Sequence, residues 1–142
     1  MSTLERAIQI AASAHQRQFD KGGSPYFLHP LRVMLRLKSE PDRIVAVLHD
    51  VLEDTAWTAA QLVEEGFAPG VMTALDALCR RKDESYDDFI DRVSTSQIAI
   101  RVKLADLEDN MDLSRIPTPT RADHERLGKY RRAYSVLLGH LV

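Results

Sequence analysis

The segment Ile44-Val45-Ala46-Val47-Leu48 runs into His49-Asp50, then Val51-Leu52, then Glu53-Asp54. An ionised carboxylate buried among such apolar neighbours costs several kcal/mol or more unless something compensates it, and a metal ion is one good answer. Within one helix, Glu53 follows His49 by four residues and Asp54 follows Asp50 by four, so each pair stacks on one face, about 5 Å apart along the axis. This segment alone allows a second reading. His49 can be a core histidine satisfied by Asp50 or a carbonyl, and Glu53-Asp54 can be exposed polar residues at a helix end.

Two further segments carry residues of the same types. Asp106 follows the apolar run Ile98 to Val102, and Asn110 lies one turn later on the same face. Lys103, three residues before Asp106, is placed for an ordinary helix-surface salt bridge with it. His29 stands in Pro25-Tyr26-Phe27-Leu28-His29-Pro30, between an aromatic loop and a helix start. Two imidazoles and two carboxylates suit Mn²⁺, Fe²⁺, Zn²⁺ or Co²⁺ better than Ca²⁺ or Mg²⁺, which prefer oxygen shells. Four such ligands on a six-coordinate ion leave positions for water and a substrate oxygen.

The elements that must hold these residues are helical. Leu4 to Gln18 has apolar residues at helical spacing, and Asp20 to Pro25 is a loop by its turn chemistry. A second helix begins near His29-Pro30, and a third begins at Pro41 or Asp42 and runs through Leu52. Thr58 reads as the N-cap of a fourth, with Gly66 as its stop. Pro69 to Leu78, Tyr86 to Val93, Ser96 to Leu113 and Thr120 to Leu141 complete the set, with Pro117 and Pro119 breaking the chain before the last. No segment alternates with period two. An all-α, single-domain bundle of about seven or eight helices over residues 1–142 follows.

Composition narrows the function classes. The 142 residues are 44% hydrophobic and 28% charged, with a net charge of −2. That balance gives no basis for binding a nucleic-acid backbone, and there is no basic, aromatic-interleaved face. The lone cysteine, Cys79, excludes an internal disulfide and a cysteine-rich zinc site. No secretory leader and no membrane-spanning run is visible, so the expected location is the cytoplasm, with no membrane partner.

The blocks Ala14-His15, GSPYFLHP (Gly23 to Pro30), HDVLEDT (His49 to Thr55) and KLAD (Lys103 to Asp106) with Asn110-Met111 occur in a familiar order and spacing. They resemble the HD-domain (p)ppGpp hydrolases, the hydrolase domain of the RelA/SpoT group and its small stand-alone relatives. The resemblance implies that His29, His49, Asp50 and Asp106 ligate one metal, usually Mn²⁺. It implies that Glu53 and Asp54 position or activate the attacking water, and that Lys21 and Asn110 contact a phosphorylated nucleotide. The reaction implied is hydrolysis of the 3′-pyrophosphate of ppGpp or pppGpp, releasing pyrophosphate.

The sequence also departs from that family. Asp20 stands where an arginine usually precedes the loop lysine, and an aspartate there would repel an anionic substrate. Leu107-Glu108-Asp109 replaces Arg-Leu-His, exchanging basic for acidic residues, and Leu113 replaces a common threonine. These changes favour hydrolysis of another nucleotide or small phosphate ester as the alternative, and a metal-binding regulatory module with little turnover as a further one. No synthetase or regulatory domain follows, so a bifunctional alarmone enzyme is not expected. His15 reads as structural, His124 and His140 as exposed, and Trp57 and Cys79 as core residues. Arg80-Arg81-Lys82 reads as a solvated turn, or as the source of the positive charge that Asp20 does not provide. The last helix closes the core or forms a dimer seam.

Overall fold

Local side-chain chemistry sets most helix boundaries in the computed structural model, which describes residues 1–142. Helix α1 spans Leu4–Ala14, α2 Leu28–Leu35, α3 Glu40–Leu48, α4 Val51–Asp54 and α5 Ala59–Glu64. They are followed by α6 Pro69–Leu78, α7 Tyr86–Val93, α8 Gln97–Asn110, a 3₁₀ turn at Leu113–Arg115, and α9 Arg121–His140. The side chains of Ser39, Ser85 and Ser96 accept from the amide three residues on, which satisfies free first-turn donors. Thr58 with Gln61, and Thr120 with Asp123, form reciprocal capping boxes. Gly66 follows α5 at φ 92°, a left-handed conformation that glycine adopts without Cβ strain.

The expected third helix is divided. Regular α3 ends at Leu48, Asp50 takes φ −91° and ψ −8°, and α4 restarts at Val51. The Asp54 amide still donates to the Asp50 carbonyl at 2.9 Å, so those two residues keep their one-turn spacing. The expected helix over Ser96 to Leu113, the seventh of the set, is also shorter, ending at Asn110 before the 3₁₀ turn.

Helices α3 and α8 form the centre. α3 packs on α1, α2, α6 and α8, and α8 also packs on α2, α6, α7 and α9. Helix α8 buries residues around most of its circumference, including Ile100, Val102, Leu104, Leu107 and Asp109, which is why it shows no polar face. Leu48, Leu62, Leu107 and Leu137 are fully buried, and truncating any of them to alanine costs about 2–5 kcal/mol. Asp42, at the start of α3, is buried and accepts two bonds from Arg101 of α8, at 2.7 and 3.0 Å. This planar pairing fixes where the two central helices begin relative to each other.

A second ion pair ties the α6–α7 turn. Arg92 donates to both carboxylate oxygens of Glu84 at 2.8 Å and to the carbonyls of Asp76 and Cys79. The Arg92 hydrogen bonds hold the Glu84 carboxyl down at about 2, against an ordinary 4.5. A depressed carboxyl stabilises the fold above its unfolded value, and that stability is lost as pH falls toward the folded value. Thermal melts from about pH 5 down to about pH 2.5 are therefore expected to fall more steeply for the wild type than for Glu84→Gln. Parallel acid limbs would show that the turn opens before Glu84 titrates.

Candidate metal centre and nucleotide cleft

The ligand candidates come from three separate elements. His29 lies in the first turn of α2, His49 and Asp50 lie at the α3–α4 break, and Asp106 lies on the buried side of α8. The break releases Asp50 from a regular helical position right after the buried His49. His29, His49 and Asp50 offer donor atoms that all lie within 4.8 Å of one another. Asp106 Oδ1 is 2.8 Å from His29 Nε2 and 3.3 Å from His49 Nε2. Asp50 Oδ2 is 3.7 and 3.3 Å from the same two nitrogens. Adjacent ligands on an ion with bonds of about 2.1 Å sit about 3 Å apart, so the donor set fits one transition-metal ion.

The far side of each ring supports the same fit. His49 Nδ1 lies 2.5 Å from the Ala46 carbonyl, and His29 Nδ1 lies 2.6 Å from Asp109 Oδ2. Both acceptors take a proton from Nδ1, which leaves each Nε2 lone pair for a cation. Burial disfavours the charged His29 ring, but bonds to Asp106 and Asp109 outweigh it and raise the group to about 10. His49, opposed by burial and favoured by Asp50 and Asp106, is raised to about 8. Protons thus balance the carboxylates, and a divalent ion would replace them.

Three residues outside the expected site set complete the cluster. Tyr26 donates its hydroxyl to Asp50 Oδ2 at 2.6 Å, and burial with the Asp50 charge pushes the phenol above its ordinary range. It therefore remains a fixed donor. Lys103 does pair with Asp106, at 2.9 Å, but its side chain is only 14% exposed, so this is an interior contact and not a surface one. Asp109 differs most from expectation. It is 0% exposed and binds His29, Arg32 at 2.8 and 3.0 Å, and Arg115, so it orients a ligand and does not face substrate. Its only sequence signal is its place three residues after Asp106 on a helix that is apolar nearly all round.

The remaining candidates lie around this cluster. Glu53 is exposed, and its Oε1 accepts from the Arg80 amide at 2.6 Å. Asp54 is exposed, and its carboxylate makes no hydrogen bond, while its carbonyl accepts from Gln18, which also holds His15. Burial and the Asp50 charge push the carboxyls of Glu53 and Asp54 upward. Asn110 donates to Asp106 Oδ1 at 3.3 Å and faces a neighbouring cleft of about 330 Å³. Lys21 lines the same cleft and pairs with Asp123 at 2.8 Å. Asp20 accepts from the amides of Gly22 and Ser24 at 2.9 Å, so its carboxylate organises the loop. Gly22 itself is pressed against the Arg115 carbonyl, where a Cβ would come within 2.4 Å. His15 is buried, His124 and His140 are exposed, and Trp57 packs against the core.

No family model matches the chain. Among curated proteins, guanosine-3′,5′-bis(diphosphate) 3′-pyrophosphohydrolase of Haemophilus influenzae is 34% identical over 117 residues, covering 72% of this chain and 17% of that protein. The protein of the same name from Aquifex aeolicus is 31% identical, covering 76% and 17%. A probable GTP pyrophosphokinase of Mycobacterium leprae is 30% identical, covering 84% and 17%. A solved structure of a metazoan ortholog of SpoT that hydrolyzes ppGpp superposes with TM-score 0.79 at 25% identity, covering 97% of this chain and 86% of that one. The chain is an HD domain of the RelA/SpoT type. This HD domain spans about 17% of the length of the curated relatives it matches. The all-helical reading holds, and a divalent metal suits the His–Asp group of this HD domain. None of its helices is long and apolar enough to cross a membrane.

Proposed function

We propose that residues 1–142 form one HD-type unit that hydrolyses the 3′-pyrophosphate of (p)ppGpp in the cytoplasm, with Mn²⁺ held by His29, His49, Asp50 and Asp106. The observation that carries this reading is the convergence of two Nε2 atoms, each with its Nδ1 engaged, on two carboxylates. The names of the relatives supply the substrate. When bound, such an ion acidifies water and neutralises phosphoryl oxygens.

The protein's own groups account for the remaining work. Tyr26 and Lys103 hold the two ligand carboxylates in one rotamer each. Asp54 has a free carboxylate with a raised affinity for protons, and we assign it to accept the proton of the attacking water. Glu53, fixed by the Arg80 amide, orients that water. Asn110 stands between the ligand Asp106 and the cleft, where it is placed to meet the nucleotide, and Lys21 exchanges Asp123 for an anionic group of the substrate.

One observation favours a different nucleotide as the second reading. The cations of the cleft are already matched by aspartates: Lys21 and Arg126 by Asp123, and Arg32 and Arg115 by Asp109. With Leu113 also lining the cleft, that end suits a less charged nucleoside than the family's substrate.

The deciding experiment is pyrophosphate release from ppGpp by the Mn²⁺-loaded protein beside an Asp50→Ala control. Release that vanishes in the control is the expected result. No release from protein that demonstrably holds its metal would retire ppGpp and move the assignment to other phosphorylated nucleotides.

A further inference from the structure

Two cations beside the metal cluster differ from those in the cleft. Arg80, in the turn after α6, and Lys129, on α9, approach one aromatic ring from separate elements. The Arg80 guanidinium carbon lies 5.6 Å, and Lys129 Nζ 4.0 Å, from the centre of Tyr86. The Arg80 guanidinium donates only to the Glu84 carbonyl, at 3.3 Å. The carboxylate of Glu84 is already taken by Arg92. Lys129 makes no ion pair, and burial and the facing cations Arg80, Lys103 and Arg126 all pull its ammonium below the ordinary value. The Tyr86 hydroxyl, in the same place, is buried and makes no hydrogen bond. An orphaned buried hydroxyl beside two cations that rest on an aromatic ring and meet no carboxylate is a costly arrangement that an anion would complete.

The location connects this group to the candidate chemistry. The Arg80 amide holds Glu53 at 2.6 Å. Tyr86 stacks edge-on to Phe89 with centroids 6.0 Å apart, and Lys103, bonded to Asp106, lies 5.4 Å over Phe89. On the other side, Arg126 and Tyr130 of α9 line the nucleotide cleft, with Lys129 between them in sequence. The cluster therefore adjoins both the ligand Asp106 and the end of the cleft.

We propose that Arg80, Lys129 and the Tyr86 hydroxyl form a subsite for the diphosphate group of the substrate and for the pyrophosphate it leaves as. This rests on reading the chain as a phosphohydrolase of nucleotides. It divides the recognition: the charge-matched cleft takes the nucleoside portion, and the unmatched cations take the group that carries the most charge.

The test is calorimetric titration of inorganic pyrophosphate into the Mn²⁺-loaded protein, with ppGpp turnover by the wild type measured separately. Arg80→Gln and Lys129→Gln are each expected to weaken pyrophosphate about tenfold or more, the loss of one charged hydrogen bond. Lys129→Arg should stay within about threefold of wild type, and Tyr86→Phe should lose less than either glutamine variant. Lys82→Gln, an exposed cation of the same turn, serves as the control and should change nothing. Undetectable binding by the wild type, unchanged binding by both glutamine variants, or an equal loss in Lys82→Gln would overturn the subsite. Pyrophosphate binding that depends on Arg80 and Lys129 without any ppGpp turnover would keep the subsite and retire the alarmone substrate instead.

Discussion

Asp50→Ala is expected to lose both bound metal and turnover, whereas Glu53→Gln is expected to lose turnover alone. The two carboxylates lie three residues apart in sequence but differ in what surrounds them. Asp50 Oδ2 is within 3.7 Å of both Nε2 atoms and receives the Tyr26 hydroxyl, and its side chain is 13% exposed. Removing it deletes one donor of four and leaves Asp106 as the one carboxylate shared by both Nε2 atoms. The metal content of purified protein, measured by plasma mass spectrometry, should drop from about one ion per chain to a trace, and turnover by at least about two orders of magnitude. Glu53 instead accepts from the Arg80 amide and makes no hydrogen bond to the cluster. Its amide analogue should keep the ion and still lose about 10²- to 10⁴-fold in rate, the range for a proton transfer whose water is no longer held in place. Equal metal loss in the two variants would contradict this division of roles. Full metal content in Asp50→Ala would remove Asp50 from the ligand set.

Much of this arrangement is legible in the sequence, because it depends on local chemistry. The serine and threonine caps, Gly66 and Pro69 mark helix ends within a few residues of where the structure has them. His29, His49, Asp50 and Asp106 stand out by type, since ionisable groups do not end up beside apolar runs without a partner. The break at His49–Asp50 is hidden, because the apolar periodicity continues across it from Leu48 to Val51 and Leu52. It becomes visible only in the structure, where α3 packs against α2 and α8. Asp20 and Asp109 mislead for the same reason. A carboxylate read along a chain looks like surface charge, yet one caps the amides of a loop and the other is enclosed by His29, Arg32 and Arg115. His29 and Arg32 lie far from Asp109 in sequence, so residue spacing carries no information about them, and the Asp20 contacts, though local, depend on how the loop backbone turns.

Asp109 is also where the second large effect is expected. Its carboxylate fixes the His29 tautomer and neutralises two arginines, and bonds from His29 and Arg32 overcome its burial to keep it well below the usual carboxylate range. Asp109→Ala removes all of this at once. Outer partners of metal-ligating histidines are worth about 10- to 100-fold in metal affinity, and that loss is expected here for Mn²⁺ measured by calorimetry. The metal-free protein should also be destabilised by about 3 kcal/mol. That is the lower end for a broken buried pair, because Arg32 and Arg115, 29% and 32% exposed, can recover some hydration. Asp109→Asn separates the two effects. Its amide oxygen can still accept from His29 Nδ1, so most of the stability should return. The missing charge leaves the ring a poorer electron donor, and part of the affinity loss should persist. Stability lost in Asp109→Ala with metal affinity intact would make Asp109 a structural anchor for Arg32 and Arg115 only. Affinity lost in both variants, in the order alanine beyond asparagine, would place this buried aspartate among the determinants of the metal centre.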